Sequence, residues 1–194
     1  MSMHEPGIIE SVKNGLIKTI KGSGDVVQAV VDTVTGTLAT TFKGTEKVGV
    51  AGTEAITHVT TGVIHGATEV GSDLGAAAKG TVVGVLRGTR HTGAEALDTI
   101  GHTSRSFITT TAGVGGDLGT AAKGLVEGAI HGAKDLGVSA EDAASAAATG
   151  AVHAAGEVGS AAGQTVRNAV TGTISGVKVV LKEPFKSDSQ TTQR

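Results

Sequence analysis

The apolar positions of this chain recur with a period of eleven. Folding residues 8–183 onto eleven columns puts sixteen residues in each. The five columns that contain Val26, Val27, Val30, Val31 and Val34 hold 80 positions. Glu141 is the only Asp, Glu, Lys or Arg among them, although the segment carries 30 such charges. On a helix with eleven residues in three turns these columns are adjacent and cover about 160° of the circumference. Another column is Ser, Gly, Thr or Ala sixteen times in succession, from Ser11 through Gly22, Thr33, Gly44 and Ala55 to Gly176. Alternation with period two is not sustained anywhere, so the pattern predicts helix and not strand.

These features predict an all-α chain made of one very long amphipathic helix, or a few long in-register helices, at 3.67 residues per turn and without a globular core. Unbroken, such a helix would span roughly 260 Å at 1.5 Å per residue. Three segments are expected: an N-terminal cap over 1–7, a continuous repeat region over 8–183 and a disordered polar tail over 184–194. Pro6 suits a first helical turn, and no proline follows until Pro184. The weakest periodicity lies over Thr109 to Gly116, where a bend is expected.

A longer period of 44 residues is nested over the first. Asp73 to Gly80 (DLGAAAKG) matches Asp117 to Gly124 (DLGTAAKG), and His65 to Ser72 (HGATEVGS) matches His153 to Ser160 (HAAGEVGS) at twice that offset. Because 44 is four elevens, duplication of such a unit preserves the helical phase. Gly49, Gly71, Gly93, Gly115, Gly137 and Gly159 recur every 22 residues in the middle of the apolar arc.

Glycine is what makes a free helix improbable. The chain holds 31 Gly, each costing about 1 kcal/mol relative to Ala inside a helix. Exposed ion pairs cannot offset a penalty of order 30 kcal/mol. Burial of the apolar arc can. The arc is therefore expected to lie against something apolar, either a lipid surface or other copies of the chain. The residues expected to face lipid are Val26, Val27, Val30, Val31, Val34, Ile64, Val70, Leu74, Val82, Leu86, Leu97, Ile100, Phe107, Ile108 and Ile130. One edge of the arc is a basic column of Lys13, Lys79, Arg90, Lys123, Lys134, Arg167 and Lys178, placed to reach headgroups. The pairs Gly62/Gly66, Gly84/Gly88, Gly128/Gly132 and Gly172/Gly176 have the Gly-x-x-x-Gly spacing of close helix–helix contacts. They support the alternative reading, a glycine-zippered right-handed coiled-coil bundle or filament.

In period and residue palette, runs such as Gly80–Gly84 (GTVVG), Val126–Ile130 (VEGAI) and Thr171–Gly176 (TGTISG) resemble the eleven-residue amphipathic repeats of perilipins and synucleins. That resemblance implies a chain that is disordered in solution and becomes helical on lipid droplets or membranes.

Composition narrows the remaining possibilities. The chain has 194 residues with no Cys, Trp or Tyr, three Phe and a formal charge of −2. The lack of thiols excludes disulfides, and the charge argues against a nucleic-acid partner. The mean hydropathy is +0.13, yet no uncharged apolar run is long enough to span a bilayer. Without a signal-like N-terminus, a cytoplasmic chain peripheral to a lipid surface is expected. Six histidines (His58, His65, His91, His102, His131 and His153) fall in two adjacent polar columns, none three or four residues from another. A metal site is therefore not expected. Each has an acid four residues away, which predicts exposed pairs that strengthen on protonation near pH 6. No nucleophile–base arrangement, phosphate loop or paired carboxylate is recognisable, so neither enzymatic activity nor a cofactor nor a small-molecule substrate is expected.

Overall fold

A computed structural model describes residues 6–43, 50–90 and 93–182. The expected N-terminal cap over 1–7 and polar tail over 184–194 fall almost wholly outside the described residues. Among the described residues eight α-helices follow one another: α1 (Pro6–Ser23), α2 (Val26–Thr41), α3 (Val50–Glu69), α4 (Leu74–Thr89), α5 (Gly93–Gly113), α6 (Leu118–Ala133), α7 (Ala140–Val158) and α8 (Ser160–Val170). A single 3₁₀ turn over Lys134–Leu136 extends α6, and an antiparallel hairpin of β1 (Gly172–Ile174) and β2 (Val177–Val179) follows α8.

The very long helix is overturned. The longest helix, α5, has 21 residues, about 32 Å at the ordinary rise. The physical reason lies in the glycines spaced by 22. Gly71, Gly115 and Gly137 have φ of 67°, 71° and 67°, a left-handed conformation that ends a helix and suits glycine. Gly159 separates α7 from α8, and Gly93 is the first residue of α5. Helix plus turn occupies 22 residues on average, twice eleven, so the turns together keep the eleven-residue phase along the chain. The bend expected over 109–116 falls on one of these turns, where Gly116 N–H donates to Thr111 O at 2.9 Å and Gly115 N–H to Ala112 O at 3.1 Å. The next helix then starts on a side-chain cap. Asp73 accepts from the Gly75 and Ala76 amides, Asp117 from Thr120, Asp25 from Gln28, and Ser139 from Asp142.

Two layers result. One consists of α1, α3, α5 and α7, the other of α2, α4, α6 and α8, and each helix packs on the helix two places along as well as on its sequence neighbours. The 44-residue period is thus one helical hairpin of a stacked repeat. Within a layer the helices run parallel. Gly80, Gly84 and Gly88 of α4 meet Val30, Val34 and Leu38 of α2 in that order, and Gly62 and Gly66 of α3 meet Val12 and Leu16 of α1.

A globular core exists, contrary to expectation. Val12, Leu16, Val30, Val34, Leu38, Val59, Ile64, Leu125, the alanines of α6 and most of those of α7 are buried, with Phe107 the largest side chain inside. Few large residues are needed because glycine brings the backbones together. Threonine adds to the packing at little polar cost, since its hydroxyl returns to the carbonyl four residues back, as in Thr60 to Ile56, Thr81 to Ala77 and Thr103 to Thr99.

The C-terminal hairpin was missed by the periodicity argument. Ser175 and Gly176 have φ of 48° and 80°, as a type I′ turn requires. Its inner residues Ile174 and Val179 are buried. The hairpin packs on α7, where the Ser145 hydroxyl donates to Val180 O and the Lys182 amide donates to Thr149 Oγ1 at 3.2 Å.

Candidate functional site

The apolar arc is the inside of the protein. Val30, Val31, Val34, Ile64, Val82, Leu86, Ile100, Phe107, Ile108 and Ile130 are buried, and Val26, Val27, Val70, Leu74 and Leu97 are half-buried. The apolar surface that the arc needs is supplied by neighbouring helices of the same chain.

Six of the eight paired glycines lie at helix seams. A Cβ on Gly62 would stand 2.7 Å from Ile9 O, on Gly84 2.8 Å from Val34 Cβ, on Gly88 2.8 Å from Leu38 Cβ, and on Gly128 2.6 Å from Lys79 O. On Gly66 it would stand 3.2 Å from Lys13 O, and on Gly132 2.7 Å from Leu86 Cδ1. Gly172 and Gly176 are corrected. With φ of 102° and 80° they shape the hairpin and join no helices. Sequence reasoning overlooked Gly80, Gly124 and Gly150, whose added Cβ would strike the backbones of Val27, Gly75 and Gly101. The signal was available for the first two, since Gly80 and Gly124 occupy equivalent places 44 residues apart.

The basic column divides into two rows stepped by one hairpin. Lys79, Lys123 and Arg167 lie on α4, α6 and α8. Arg90 ends α4, Lys134 ends α6, and Lys178 lies on β2. Lys123, Arg90, Lys134 and Lys178 are exposed, whereas Lys79 faces Glu127 of α6 at 4.0 Å. Lys13 is apart from both rows. Its ammonium sits 3.0 Å from Glu69 of α3, whose hydrogen bond and charge raise its pKa above 10.5. Ion pairs of this kind recur from helix to helix within a layer, with Arg87 to Asp135 at 3.8 Å and Arg105 to Glu157 at 3.5 Å. They take up acids that the sequence pairs with histidine. Glu69 turns to Lys13 and Asp135 to Arg87, while His153 keeps Glu157 at 3.3 Å.

His102 does something different. From α5 it crosses to α3, with Nε2 at 3.2 Å from Thr53 O, 3.2 Å from Thr57 Oγ1 and 3.4 Å from Ser106 Oγ on its own helix. A carbonyl only accepts, so Nε2 carries the hydrogen and donates. Asp98, His102 and Ser106 follow each other at four-residue spacing, in the order of a hydrolytic triad. A nitrogen that donates to Thr53 O cannot take a proton from Ser106 or Thr57, so this geometry ties two helices and does not activate a hydroxyl. Burial lowers the imidazole pKa below 6.5, and Arg105 adds to this against the opposing bond to Thr53.

Among the described residues no group of three or more His, Asp or Glu is placed to hold a metal ion. Among them, too, no helix is long and apolar enough to cross a membrane. Compared with protein-family models, curated proteins and solved structures, the chain matches none.

Proposed function

We propose that this chain is a non-catalytic helical-repeat scaffold, complete as a single copy, that acts through the outer faces of its two layers. The observation that carries this reading is the closure of the glycine seams within one chain. Gly62, Gly84, Gly88 and Gly128 are each occupied by an adjacent helix of the same molecule, so the bundle needs no second copy to bury its apolar faces. The outward positions are polar, including Gln28 and Asp32 on α2, Glu54 on α3, Lys123 and His131 on α6, and Gln164 and Asn168 on α8. Polar outer positions suit a finite stack better than a filament. Sedimentation and circular dichroism over a hundredfold dilution test it. A monomer with constant helix content is expected, and loss of helix on dilution would return the function to self-assembly.

A second reading keeps the lipid surface as partner, with the bundle as the stored form of the amphipathic helices. The cationic rows of Lys79, Lys123 and Arg167 and of Arg90 and Lys134 favour it, because they border the apolar faces once each helix turns outward. Anionic vesicles carrying brominated acyl chains separate the two readings. In a Phe107→Trp variant the indole occupies a fully buried position. Quenching by the vesicles requires the bundle to open. Undiminished fluorescence removes the lipid reading.

A further inference from the structure

We propose that the C-terminal hairpin is an intramolecular stop, which occupies the seat of a further helix on α7 and so prevents a second copy from continuing the stack head to tail. Lys13, Thr57, Gly101 and Ser145 follow one another at the 44-residue spacing, on α1, α3, α5 and α7. The first three each touch the next helix of their layer. A Cβ on Gly66 would stand 3.2 Å from Lys13 O, Thr57 Oγ1 lies 3.3 Å from Ser106 Oγ, and a Cβ on Gly150 would stand 2.5 Å from Gly101 O. Ser145, the fourth, meets the hairpin instead and donates its hydroxyl to Val180 O. The next turn agrees. Arg105 of α5 reaches Glu157 of α7 at 3.5 Å, while its counterpart Thr149 accepts the Lys182 amide at 3.2 Å. The hairpin thus stands where the layer of α1, α3, α5 and α7 would go on, and Ser145 is buried beneath it.

The second layer is shaped for continuation. The α4–α6 seam is closest where a Cβ on Gly124 would strike the Gly75 backbone. Gly163 of α8 is the counterpart of Gly75 two repeats on, and Gly36 of α2 is the counterpart of Gly124 two repeats back. Among the described residues no helix follows α8, and a Cβ on Gly36 would meet nothing within 4 Å. One molecule's α8 and a second molecule's α2 therefore carry the two halves of one glycine seam, and the half on α2 is open. Charge agrees in the other layer. Lys18 of α1 is exposed and holds the place of Gly62, Ser106 and Gly150, the residues that meet the preceding helix. Set on α7, it would arrive beside Ser145, one turn from Glu141 and Asp142. The Lys182 ammonium of this chain already holds Asp142 there, at 3.3 Å. Hairpin and second copy thus compete for one seat with the same chemistry. A two-stranded hairpin is at best marginally stable alone, so it can leave while the helices stay packed. Head-to-tail addition of this kind is open-ended.

The stop rests on the single-copy reading above, and sedimentation of the full chain over a hundredfold range of concentration tests it. Val179→Asp puts a charge at a buried inner position of the hairpin and releases it. The weight-average mass of this variant is expected to rise about twofold or more with concentration, with the helix content by circular dichroism unchanged. The wild type should stay monomeric, and so should Val180→Asp, which carries the same charge at an exposed position. Gly36→Gln is harmless to a single copy because the space around it is open, and adding it to Val179→Asp should restore the monomer. A Val179→Asp chain that stays monomeric, or association that survives Gly36→Gln, overturns the stop. Should Val179→Asp fail to fold, Lys182→Glu, which sets a like charge against Asp142, decides by the same readings. Association of the wild-type chain counts against the single-copy reading and the stop together. A monomeric wild type beside a monomeric released variant removes the stop alone.

Discussion

Replacing Gly128 by alanine separates a packed bundle from a free helix, because the two require opposite signs. In an extended helix the substitution removes a helix-breaking residue and stabilises by about 1 kcal/mol. In the bundle a Cβ at position 128 would lie 2.6 Å from Lys79 O, 3.0 Å from Lys79 Cα and 3.2 Å from Lys79 C. All three atoms are backbone, so no side chain can swing aside. To restore ordinary contact near 3.4 Å, α4 and α6 must part by about 0.8 Å. Gaps of that size forfeit a quarter to a half of each atom pair's attraction along the seam. Over-packing of this kind costs about 1–3 kcal/mol, and the gain in helix propensity offsets about 1 of it. The expected result is a net loss of up to about 2 kcal/mol, and a melting temperature lower by up to roughly 8 °C at this chain length. The control is Gly36→Ala in α2, where a Cβ would meet nothing within 4 Å and stability should rise by up to about 1 kcal/mol. Thermal unfolding followed by circular dichroism reads both. If Gly128→Ala melts higher than wild type, as Gly36→Ala should, the seam argument is wrong.

Other substitutions probe the turns and caps. Gly115 has as much open space as Gly36 but a φ of 71°, so Gly115→Ala is expected to destabilise by about 1 kcal/mol through backbone strain alone. A urea midpoint equal to that of wild type would dismiss this origin. Asp117 caps α6, and its hydrogen bonds from the Thr120 amide and hydroxyl hold its carboxyl below 3.8. Its contribution is present above 3.8 and is lost as pH falls through the lower folded value. Asp117→Ala should therefore cost about 1 kcal/mol at pH 7 and progressively less under strong acid, by urea titration at both pH values. Asp142 is held down in the same way by Ser139 and by Lys182 at 3.3 Å. Lys182→Met should shift the Asp142 carboxyl titration upward, as followed by carbon NMR.

Much of the local structure was legible before any coordinates. Helix followed from the eleven-residue phase, and the apolar arc of Val30, Val34, Ile64 and Ile100 became the buried face. The small column also marked contact, with Ala55, Gly66, Ala77, Gly88, Ala121, Gly132, Ala143 and Ala154 all buried. The turns were hidden in plain view. Gly71, Gly115 and Gly137 read as members of the apolar stripe, because a turn that restores phase leaves no mark on a periodicity count. His102 also escaped notice. One turn from Asp98 it resembles any exposed pair, and its true partner on α3 lies 49 residues away in the chain.

The residue order alone settled which side of every helix shuns water and that glycine-laden helices must press against something apolar. That followed from local chemistry, since side-chain phase and backbone entropy belong to each segment by itself. Which apolar surface would serve was decided only by folding back. The choice between lipid, a second molecule and the next helix depends on where 22-residue units reverse direction. Left-handed φ at Gly24, Gly71, Gly115 and Gly137, and the approach of one backbone to another, are properties of the assembled chain.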